Sequence, residues 1–322
     1  MAARLEAPLP ELIELPKLTV SDLDPLLAEE IAIWQQRFSW DFRPSAELLR
    51  RFLQIHSLYG YALACGNRII GYAYQVCEGR KGLIGDFYLL REFARPSHEM
   101  LLLGAIVESL MRTPGTRRIE SQLMMLHTPI AQPFPFGEHV TRHDRYFMEI
   151  GAESVGRLPC VAPDFRVTFH PWAERYQEEI AHLVAAAYRG HVDSDINDQY
   201  RTIPGARHFL MNIIRFPGCG NFFPAASVIG IDESSGRVCG VCLASMVSPN
   251  SGHVTQLCVL PATRKARLGY ELLRLCLLRL VQAGCMSVSL TVTCTNVDAI
   301  RLYESIGFHT QTTFPALVWD GF

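Results

Sequence analysis

The sequence lacks a strong charge of either sign. Its 30 Lys and Arg residues nearly balance its 32 Asp and Glu residues, which leaves a formal net charge of -2 over 322 residues. Nucleic acids attract proteins through extended basic surfaces, so no nucleic-acid partner is expected. Charged residues make up only 19% of the chain and apolar residues 49%, which indicates a folded protein with a sizeable core.

Long apolar runs are also missing. The N-terminal segment MAARLEAPLPELIELPKL contains acids and three prolines where a secretory signal needs an uninterrupted apolar stretch. The apolar run at residues 100–110 is broken by Glu108 and is too short to cross a bilayer. These features predict a cytoplasmic protein without a membrane partner, either a monomer or a homodimer.

The ten cysteines lack the paired spacing of metal ligands. Most stand singly in apolar segments, as Cys258 and Cys276 do, which is typical of reduced, buried thiols. Cys239 and Cys242 form a CxxC motif, but residues three apart on a strand are expected to face opposite sides. The sequence therefore predicts no metal site.

Two segments of the first half resemble segments of the second half. GLIGDFYLL (82–90) aligns without a gap on GHVTQLCVL (252–260), and RYFMEIGAE (145–153) on RLYESIGFH (301–309). Generic α/β patterning is the alternative explanation, but a tandem duplication accounts for both matches in order. The Pro- and Gly-containing stretch at 156–165 predicts domains at 1–158 and 164–322.

Hydrophobic periodicity predicts a mixed α/β arrangement in the second half. Strands are expected at 165–169, 226–231, 237–245, 253–260, 287–292 and 312–318, and helices at 173–188, 206–215, 264–282 and 297–306.

A basic, glycine-containing turn joins one of these strands to a helix, in the run PATRKARLGYELL (261–273). Unpaired N–H groups at a helix start attract anions such as phosphate. Arg264, Lys265 and Arg267 oppose the helix dipole unless an anion is bound there. An ordinary basic helix start is the alternative interpretation.

Two motifs resemble signatures of the GNAT superfamily of N-acetyltransferases. VLPATRKARLGYELL resembles its acetyl-CoA signature V-x-P-x-x-[QR]-x-x-G-x-[GA], and NVDAIRLYESIGF its second signature N-x-x-A-x-x-x-Y-x-x-x-G-F. The resemblance implies two tandem acyl-CoA N-acyltransferase-like domains, each a twisted, mostly antiparallel sheet flanked by helices. It also implies acetyl-CoA as donor, held where two middle strands splay.

By position, the resemblance assigns cofactor contacts to one set of residues: Leu257, Val259, Arg264, Lys265, Ala266, Arg267, Leu268, Gly269, Asn296 and Tyr303. Tyr303 would also protonate the departing thiolate. Arg267 stands where the family has a glycine, and we expect its side chain to swing outward and bind a phosphate rather than crowd it.

The general base is less well defined by sequence. His253 occupies a strand position where some relatives carry a glutamate, and an imidazole suits deprotonation of an amine. A solvent-facing histidine is the alternative. Acidic residues outside the motifs either attract a cationic substrate or are merely solvated, as acidic loops more often are: Glu233, Asp193, Asp195 and Asp198.

The first half lacks the corresponding chemistry. Residues 94–99 replace the phosphate turn without a glycine, and Phe147 replaces Tyr303, which predicts a degenerate domain without cofactor. Its aromatic residues either pack in a core or at an interdomain seam, or line an acceptor groove: Trp34, Phe38, Trp40 and Phe42.

Together these features predict an acetyl-CoA-dependent N-acetyltransferase that acts by direct attack of a small-molecule or protein amine. Two alternatives stay open. One is a non-catalytic acyl-CoA sensor or scaffold, and the other is a transferase resembling aminoacyl or mycothiol-synthase-like enzymes.

Overall fold

The computed structural model describes residues 9–127, 133–216 and 218–322. The first elements in chain order are β1 (Pro10–Glu14), α1 (Val20–Phe38), α2 (Arg43–Gln54), β2 (Tyr59–Cys65), β3 (Arg68–Glu78), β4 (Lys81–Leu89), α3 (Pro96–Arg112) and β5 (Arg118–Gln122). The next are β6 (Val140–Gly151), α4 (Ala152–Val155), β7 (Val167–Pro171), α5 (Gln177–Ala187), α6 (Asp193–Ile196), α7 (Ile203–Arg215) and β8 (Asn221–Phe222). The last are β9 (Val228–Asp232), β10 (Val238–Ser248), β11 (Ser251–Val259), α8 (Leu268–Gln282), β12 (Ser287–Thr293), α9 (Val297–Ile306) and β13 (His309–Asp320).

These elements form two compact units. The first contains the described parts of 1–38 and 42–143 together with 314–322, and the second contains 39–41 and 144–313. Most of β6 thus belongs to the second unit, and the end of β13 to the first. The predicted domains, 1–158 and 164–322, are each one continuous stretch of the sequence, whereas each of these units combines separate stretches. The predicted domain bounds stay a prediction.

The first unit is a mostly antiparallel sheet in the order β1-β2-β3-β4-β5-β13. Its one parallel pair among the described residues is β4 with β5. Helix α3 packs its apolar stripe of Leu102, Ile106 and Leu110 on this sheet in a core that includes Trp319. The 3.6-residue period of those side chains places them on one helix face.

The second unit has the strand order β6-β12-β11-β10-β9-β7, with β8 beside β10. Among the described residues, only β11 and β12 run parallel in it. Helix α8 buries Leu272, Cys276 and Leu280 in one core, and α5 contributes Ile180 and Val184 to another. The predicted mixed α/β class, with mostly antiparallel sheets flanked by helices, is therefore confirmed.

No helix of the described ranges combines the length and apolar composition that crossing a membrane requires. Helix α9 has the predicted bounds, whereas α8 begins at Leu268 rather than at Arg264 because the turn before it is not helical.

One predicted correspondence is wrong. Residues 145–151 form part of strand β6, whereas the aligned residues 301–306 form part of helix α9. Phe147 therefore occupies a strand and is not the structural counterpart of Tyr303. The shared letters Arg, Ile and Gly fit both a strand end and a helix end, so the short match misled.

The other sequence match has a structural counterpart. β4 pairs with β5 over Lys81–Ile84 in the way that β11 pairs with β12 over Ser251–Val254. Each strand then carries a bulge, at Gly85 in β4 and at Thr255 in β11. In the first unit the Tyr74 ring covers the bulge, because a Cβ added at Gly85 would lie 2.1 Å from that ring.

The CxxC pair also departs from the expectation. A register shift between Val238 and Gly240 marks a bulge at Cys239, and both Cys239 and Cys242 enter the same apolar core. Burial raises the pKa of the Cys239 thiol to about 11 and that of Cys242 well above its usual value. A thiol held protonated is a poor metal ligand.

A polar cluster is buried in the core of the first unit. The Tyr72 hydroxyl lies 2.7 Å from Glu30 Oε2 and 2.8 Å from Asp86 Oδ2, and Trp34 Nε1 donates to Glu30 Oε1 at 3.1 Å. Burial, and then the charge of Asp86, raises the pKa of Glu30 well above its usual value, and burial raises the pKa of Asp86. The two carboxyl groups therefore keep a proton between them at pH values at which exposed carboxyl groups are ionised.

We expect the contribution of Glu30 to the free energy of unfolding to decrease as the pH rises above 4.5, the ordinary pKa of Glu30. The folded pKa is the higher one, so the folded state binds more protons than the unfolded state above that pH. The Glu30→Gln variant should lose less stability than wild type between about pH 5 and pH 8. Urea unfolding at several pH values measures this.

Glu47→Gln is the matched control, because the Glu47 side chain is 61% exposed on α2. It should keep the wild-type dependence on pH. If Glu30→Gln also keeps that dependence, the buried acid is not the source of the effect.

Candidate active site

The two parallel strands of the second unit separate halfway along their length. β11 and β12 pair from Ser251 with Ser287 to Val254 with Leu290, whereas β11 continues to Val259 and β12 to Thr293. Both diverging segments line one cavity of about 730 Å³. The splay that the GNAT resemblance implies is present.

A β-bulge marks the point of separation. Leu243 pairs with Gln256 and Ala244 with Val254, so Thr255 is the extra residue on β11. The Thr255 hydroxyl is buried at the cavity and has no hydrogen-bond partner among the described residues. An unsatisfied hydroxyl beside an open strand edge suits an extended polar ligand.

The basic turn lies at the end of β11. A 3₁₀ turn at Pro261–Thr263 follows the strand, and Lys265 and Arg267 then adopt left-handed backbone with φ of 64° and 62°. Because α8 begins directly afterwards, at Leu268, the first N–H groups of the helix have no acceptor within it. Those groups and the positive end of the helix dipole suit an anion such as phosphate.

The arginine side chains of the turn have different partners. Arg264 Nη2 donates to the Ala187 carbonyl at 2.6 Å, at the end of α5, and so anchors the turn. Arg267 Nε lies 3.4 Å from Asp164 Oδ1, and its side chain is 60% exposed. Arg267 therefore points outward beside the cavity.

Tyr303 lies on α9, lines the cavity and is 8% exposed. Burial is the main cause that raises the pKa of its phenol, so the group is protonated at neutral pH. Its ring lies 5.9 Å from the ring of Phe308. Asn296 caps the same helix, since its Oδ1 accepts from Ala299 N at 3.3 Å, and thus helps to position Tyr303.

Most of the predicted cofactor residues line this cavity: Leu257, Val259, Arg264, Lys265, Arg267, Gly269, Asn296 and Tyr303. Ala266 and Leu268 are not among the residues that line it. The Leu268 side chain is fully buried in the core, and the Ala266 carbonyl accepts from Asp164 N at 3.2 Å. Contact of these residues with a cofactor stays a prediction.

His253 lies away from the cavity. It pairs with Ser289 inside the parallel ladder, before the strands separate, and its Nδ1 is 2.9 Å from Ser289 Oγ. Its ring packs 4.9 Å from Trp40 and 6.4 Å from Phe147. Burial lowers the pKa of His253 to about 3. The structure thus corrects both expectations for this residue, since it neither reaches the cavity as a base nor faces solvent.

The aromatic residues of the first half pack in cores and do not line the cavity. Trp34 and Phe38 are buried on α1, and the Phe42 ring stacks on Trp34 at 5.5 Å. Trp40 belongs to the second unit, where it covers His253.

Sequence reasoning missed several polar residues of the cavity. Gln256 Nε2 donates to Tyr188 Oη at 2.6 Å, and Tyr200 Oη donates to Gln256 Oε1 at 3.4 Å. The two tyrosine rings stack with centroids 4.4 Å apart, and burial raises the pKa of both phenols. The one signal of these residues in the sequence was the polar Gln256 within the otherwise mainly apolar strand that contains Val254 and Leu257.

Two further residues contribute to the electrostatics of the cavity. Arg145 on β6 supplies a positive charge, and its Nη2 donates to Thr291 Oγ1 at 3.2 Å. The Cys258 thiol is buried, which raises its pKa to about 12. Because the thiolate is the reactive form, Cys258 is a poor nucleophile in this state.

A mixed sheet whose parallel pair opens beside a helix start defines the N-acyltransferase fold. Residues 196–308 match the sequence profile of the Acetyltransferase (GNAT) family, and this segment contains β11, the basic turn, α8 and α9. It therefore forms a GNAT-family domain. Among curated proteins, none is significantly similar to the sequence.

Solved structures extend the fold similarity to nearly the whole chain. A GCN5-related N-acetyltransferase from Sphaerobacter thermophilus is 16% identical with a TM-score of 0.64, covering 97% of this chain and 95% of its own. A tandem GNAT protein from the clavulanic acid biosynthesis pathway is 12% identical with a TM-score of 0.57, covering 97% and 98%. The glucosamine N-acetyltransferase region of a fungal multi-domain β-N-acetylglucosaminidase is 13% identical with a TM-score of 0.61, covering 98% of this chain and 38% of its own.

The backbone of Arg267 generates a testable difference between two variants. Arg267 has a φ of 62°, in the left-handed region. Placing a residue other than glycine in this region costs about 1 kcal/mol of stability. We expect Arg267→Gly to be about 1 kcal/mol more stable to urea than Arg267→Ala, because both remove the ion pair with Asp164 but only glycine relieves the backbone. Equal or reversed stabilities would contradict this conformation.

Proposed function

We propose that the second unit transfers the acetyl group of acetyl-CoA to a primary amine by direct attack of the amine on the thioester. The observation that carries the proposal is a single cavity that joins the open edge of β11, the first turn of α8 and the phenol of Tyr303. A strand edge binds an extended chain through backbone hydrogen bonds, and a helix start binds phosphate.

The residues of the cavity fit acetyl-CoA part by part. Backbone groups of Leu257 and Val259 and the unpartnered hydroxyl of Thr255 suit the amides of a pantetheine arm. The first N–H groups of α8, with Lys265 and Arg267 nearby, suit a pyrophosphate. When bound, acetyl-CoA supplies an acetyl group activated as a thioester.

Tyr303 is the proposed proton donor to the departing sulfur. Its buried phenol keeps its proton at neutral pH. The same apolar surroundings that raise the pKa of the phenol also disfavour a thiolate anion, so the proton moves to sulfur as the thiolate forms.

Direct attack is favoured over a covalent acyl-enzyme. Cys258 is the cysteine that lines the cavity among the described residues, and its thiol is held protonated by burial. An acyl-cysteine route needs a thiolate, which requires a lowered pKa and not a raised one.

The names of two similar structures support an acetyl donor and an amine acceptor. One is described as a GCN5-related N-acetyltransferase and the other as a glucosamine N-acetyltransferase region. An amino sugar therefore belongs among the acceptors to be tested, beside other small amines and protein amines.

Release of coenzyme A thiol from acetyl-CoA tests the proposal with glucosamine, spermidine, lysine methyl ester and a peptide with a free N-terminus as acceptors. Amine-dependent release supports it. Calorimetric binding of acetyl-CoA without release for any amine contradicts it and favours a non-catalytic sensor. Turnover only with aminoacyl-tRNA or another acyl donor favours an aminoacyl or mycothiol-synthase-like transferase instead.

We expect Tyr303→Phe to lower kcat by about 100-fold or more, because a positioned general acid contributes a factor of that size. The dissociation constant of acetyl-CoA should stay within about twofold of the wild-type value, since the ring remains and only the hydroxyl is lost. Initial rates and calorimetry measure the two quantities.

Tyr146→Phe is the matched control for this substitution. Tyr146 lies on β6 outside the residues that line the cavity, and its phenol interacts with Cys294. The control should keep wild-type kcat. A Tyr303→Phe enzyme as active as the control removes Tyr303 from the mechanism.

A further inference from the structure

Asp193 is the less exposed of the two carboxylates that line the cavity, since Asp298, in the first turn of α9, is exposed. It is the first residue of α6, it lines the cavity, and its side chain is 15% exposed. Thr293 Oγ1, at the end of β12, donates to Asp193 Oδ1 at 2.5 Å. This hydrogen bond fixes the carboxylate to the strand that diverges from β11.

The charged and titratable groups that line the cavity with Asp193 include several from other parts of the chain: His191 from its own loop, Tyr188 just after α5, Tyr200 from the turn before α7, Tyr303 from α9 and Arg145 from β6. After burial, the charge of Asp193 is among the causes that raise the pKa of Tyr188, Tyr200 and Tyr303. The carboxylate therefore lies close enough to the proposed acid Tyr303 to act on it electrostatically.

The neighbouring acids of the same segment have other surroundings. The Asp195 side chain is 63% exposed and pairs with Arg201 at 3.2 Å. Neither Asp195 nor Asp198 is among the residues that line the cavity. Of the four acids that the sequence offered, only Asp193 is among the residues that line the cavity.

His191 is less suited than Asp193 to take a proton. Asp193 N donates to His191 Nδ1 at 3.1 Å, which assigns the proton of the neutral ring to Nε2 and occupies the lone pair on Nδ1. His191 Nδ1 also lies 3.7 Å from Asp193 Oδ2. The imidazole thus packs beside the carboxylate and helps to position it.

We propose that Asp193 binds the ammonium group of a cationic acceptor and takes up its proton, with Thr293 as a positioning residue that holds the carboxylate ready. This inference rests on the proposed acetyl transfer. A carboxylate that lines a cavity and is only 15% exposed attracts a cation more strongly than one in open solvent, because water screens the interaction less there.

The protons balance in this assignment. The ammonium gives one proton to Asp193, and the neutral nitrogen forms a C–N bond with the acetyl carbon as the C–S bond breaks. The sulfur takes the proton of the Tyr303 hydroxyl, and the phenol regains one from the nitrogen. The proton on Asp193 passes to solvent, which its partial exposure permits. The products are an amide, coenzyme A thiol and one released proton.

The first test compares acceptors of different charge in Asp193→Asn. With spermidine or lysine methyl ester, which are cationic at neutral pH, we expect kcat/KM to fall by about 100-fold or more. With acetylhydrazide, which is uncharged at that pH, the fall should be much smaller. Calorimetry should show unchanged acetyl-CoA binding. Asp195→Asn is the matched control and should behave as wild type with both kinds of acceptor.

A second test uses the positioning hydrogen bond and the same two kinds of acceptor. Because Thr293 donates the hydrogen bond that holds the carboxylate, Thr293→Val should lower kcat/KM more for spermidine than for acetylhydrazide. Thr293→Ser keeps a hydroxyl and should restore the wild-type ratio. A purely structural role for Thr293 would lower activity equally with both acceptors and would not separate the two variants.

The outcomes separate this inference from the proposed function. If wild type releases no thiol with any acceptor, acetyl transfer itself fails. If wild type is active and Asp193→Asn loses the same factor with charged and uncharged acceptors, or loses nothing, then Asp193 is not the ammonium site. Loss of acetyl-CoA binding in Asp193→Asn would assign the residue to structure, provided that Thr293→Val lowers activity equally with both kinds of acceptor.

Discussion

The site depends on one constraint, the end of the parallel pairing between β11 and β12 after Val254 and Leu290. The bulge at Thr255 bends β11, which stays paired with β10 on its other side. β12 stays straight against β6 as far as the pair of Thr293 with Arg145. Because each strand is held by a different neighbour, the two diverge and leave an open backbone edge. That edge forms one wall of the cavity.

The same backbone feature has opposite outcomes in the two units. β4 of the first unit has the corresponding parallel pairing and the corresponding bulge, at Gly85, but the Tyr74 ring covers it. The adjoining core then contains the buried carboxyl groups of Glu30 and Asp86. A bulge supplies curvature and unpaired polar groups, but the side chains around it decide whether a cavity forms there.

The electrostatics of the cavity follow from which groups burial leaves charged. Burial keeps the Tyr303 phenol and the Cys258 thiol protonated. Arg145 and Asp193 are among the charged residues that line the cavity. Arg264 anchors the turn before α8 to the end of α5. In the proposed reaction, proton donation, acceptor binding and phosphate binding are assigned to different side chains.

The sequence by itself determined the local elements: the apolar periodicity of α8 and α9, the basic turn between a strand and a helix, and the position of Tyr303 one helix further on. These depend on residues that are neighbours in the chain, so local patterning is enough to predict them. It did not determine that Arg145 and Asp193 meet Tyr303, that His253 lies inside the paired ladder, or that residues 145–151 form a strand. Those outcomes depend on which strands pair and where the pairing stops, and long-range hydrogen bonds set both only when the sheet has assembled.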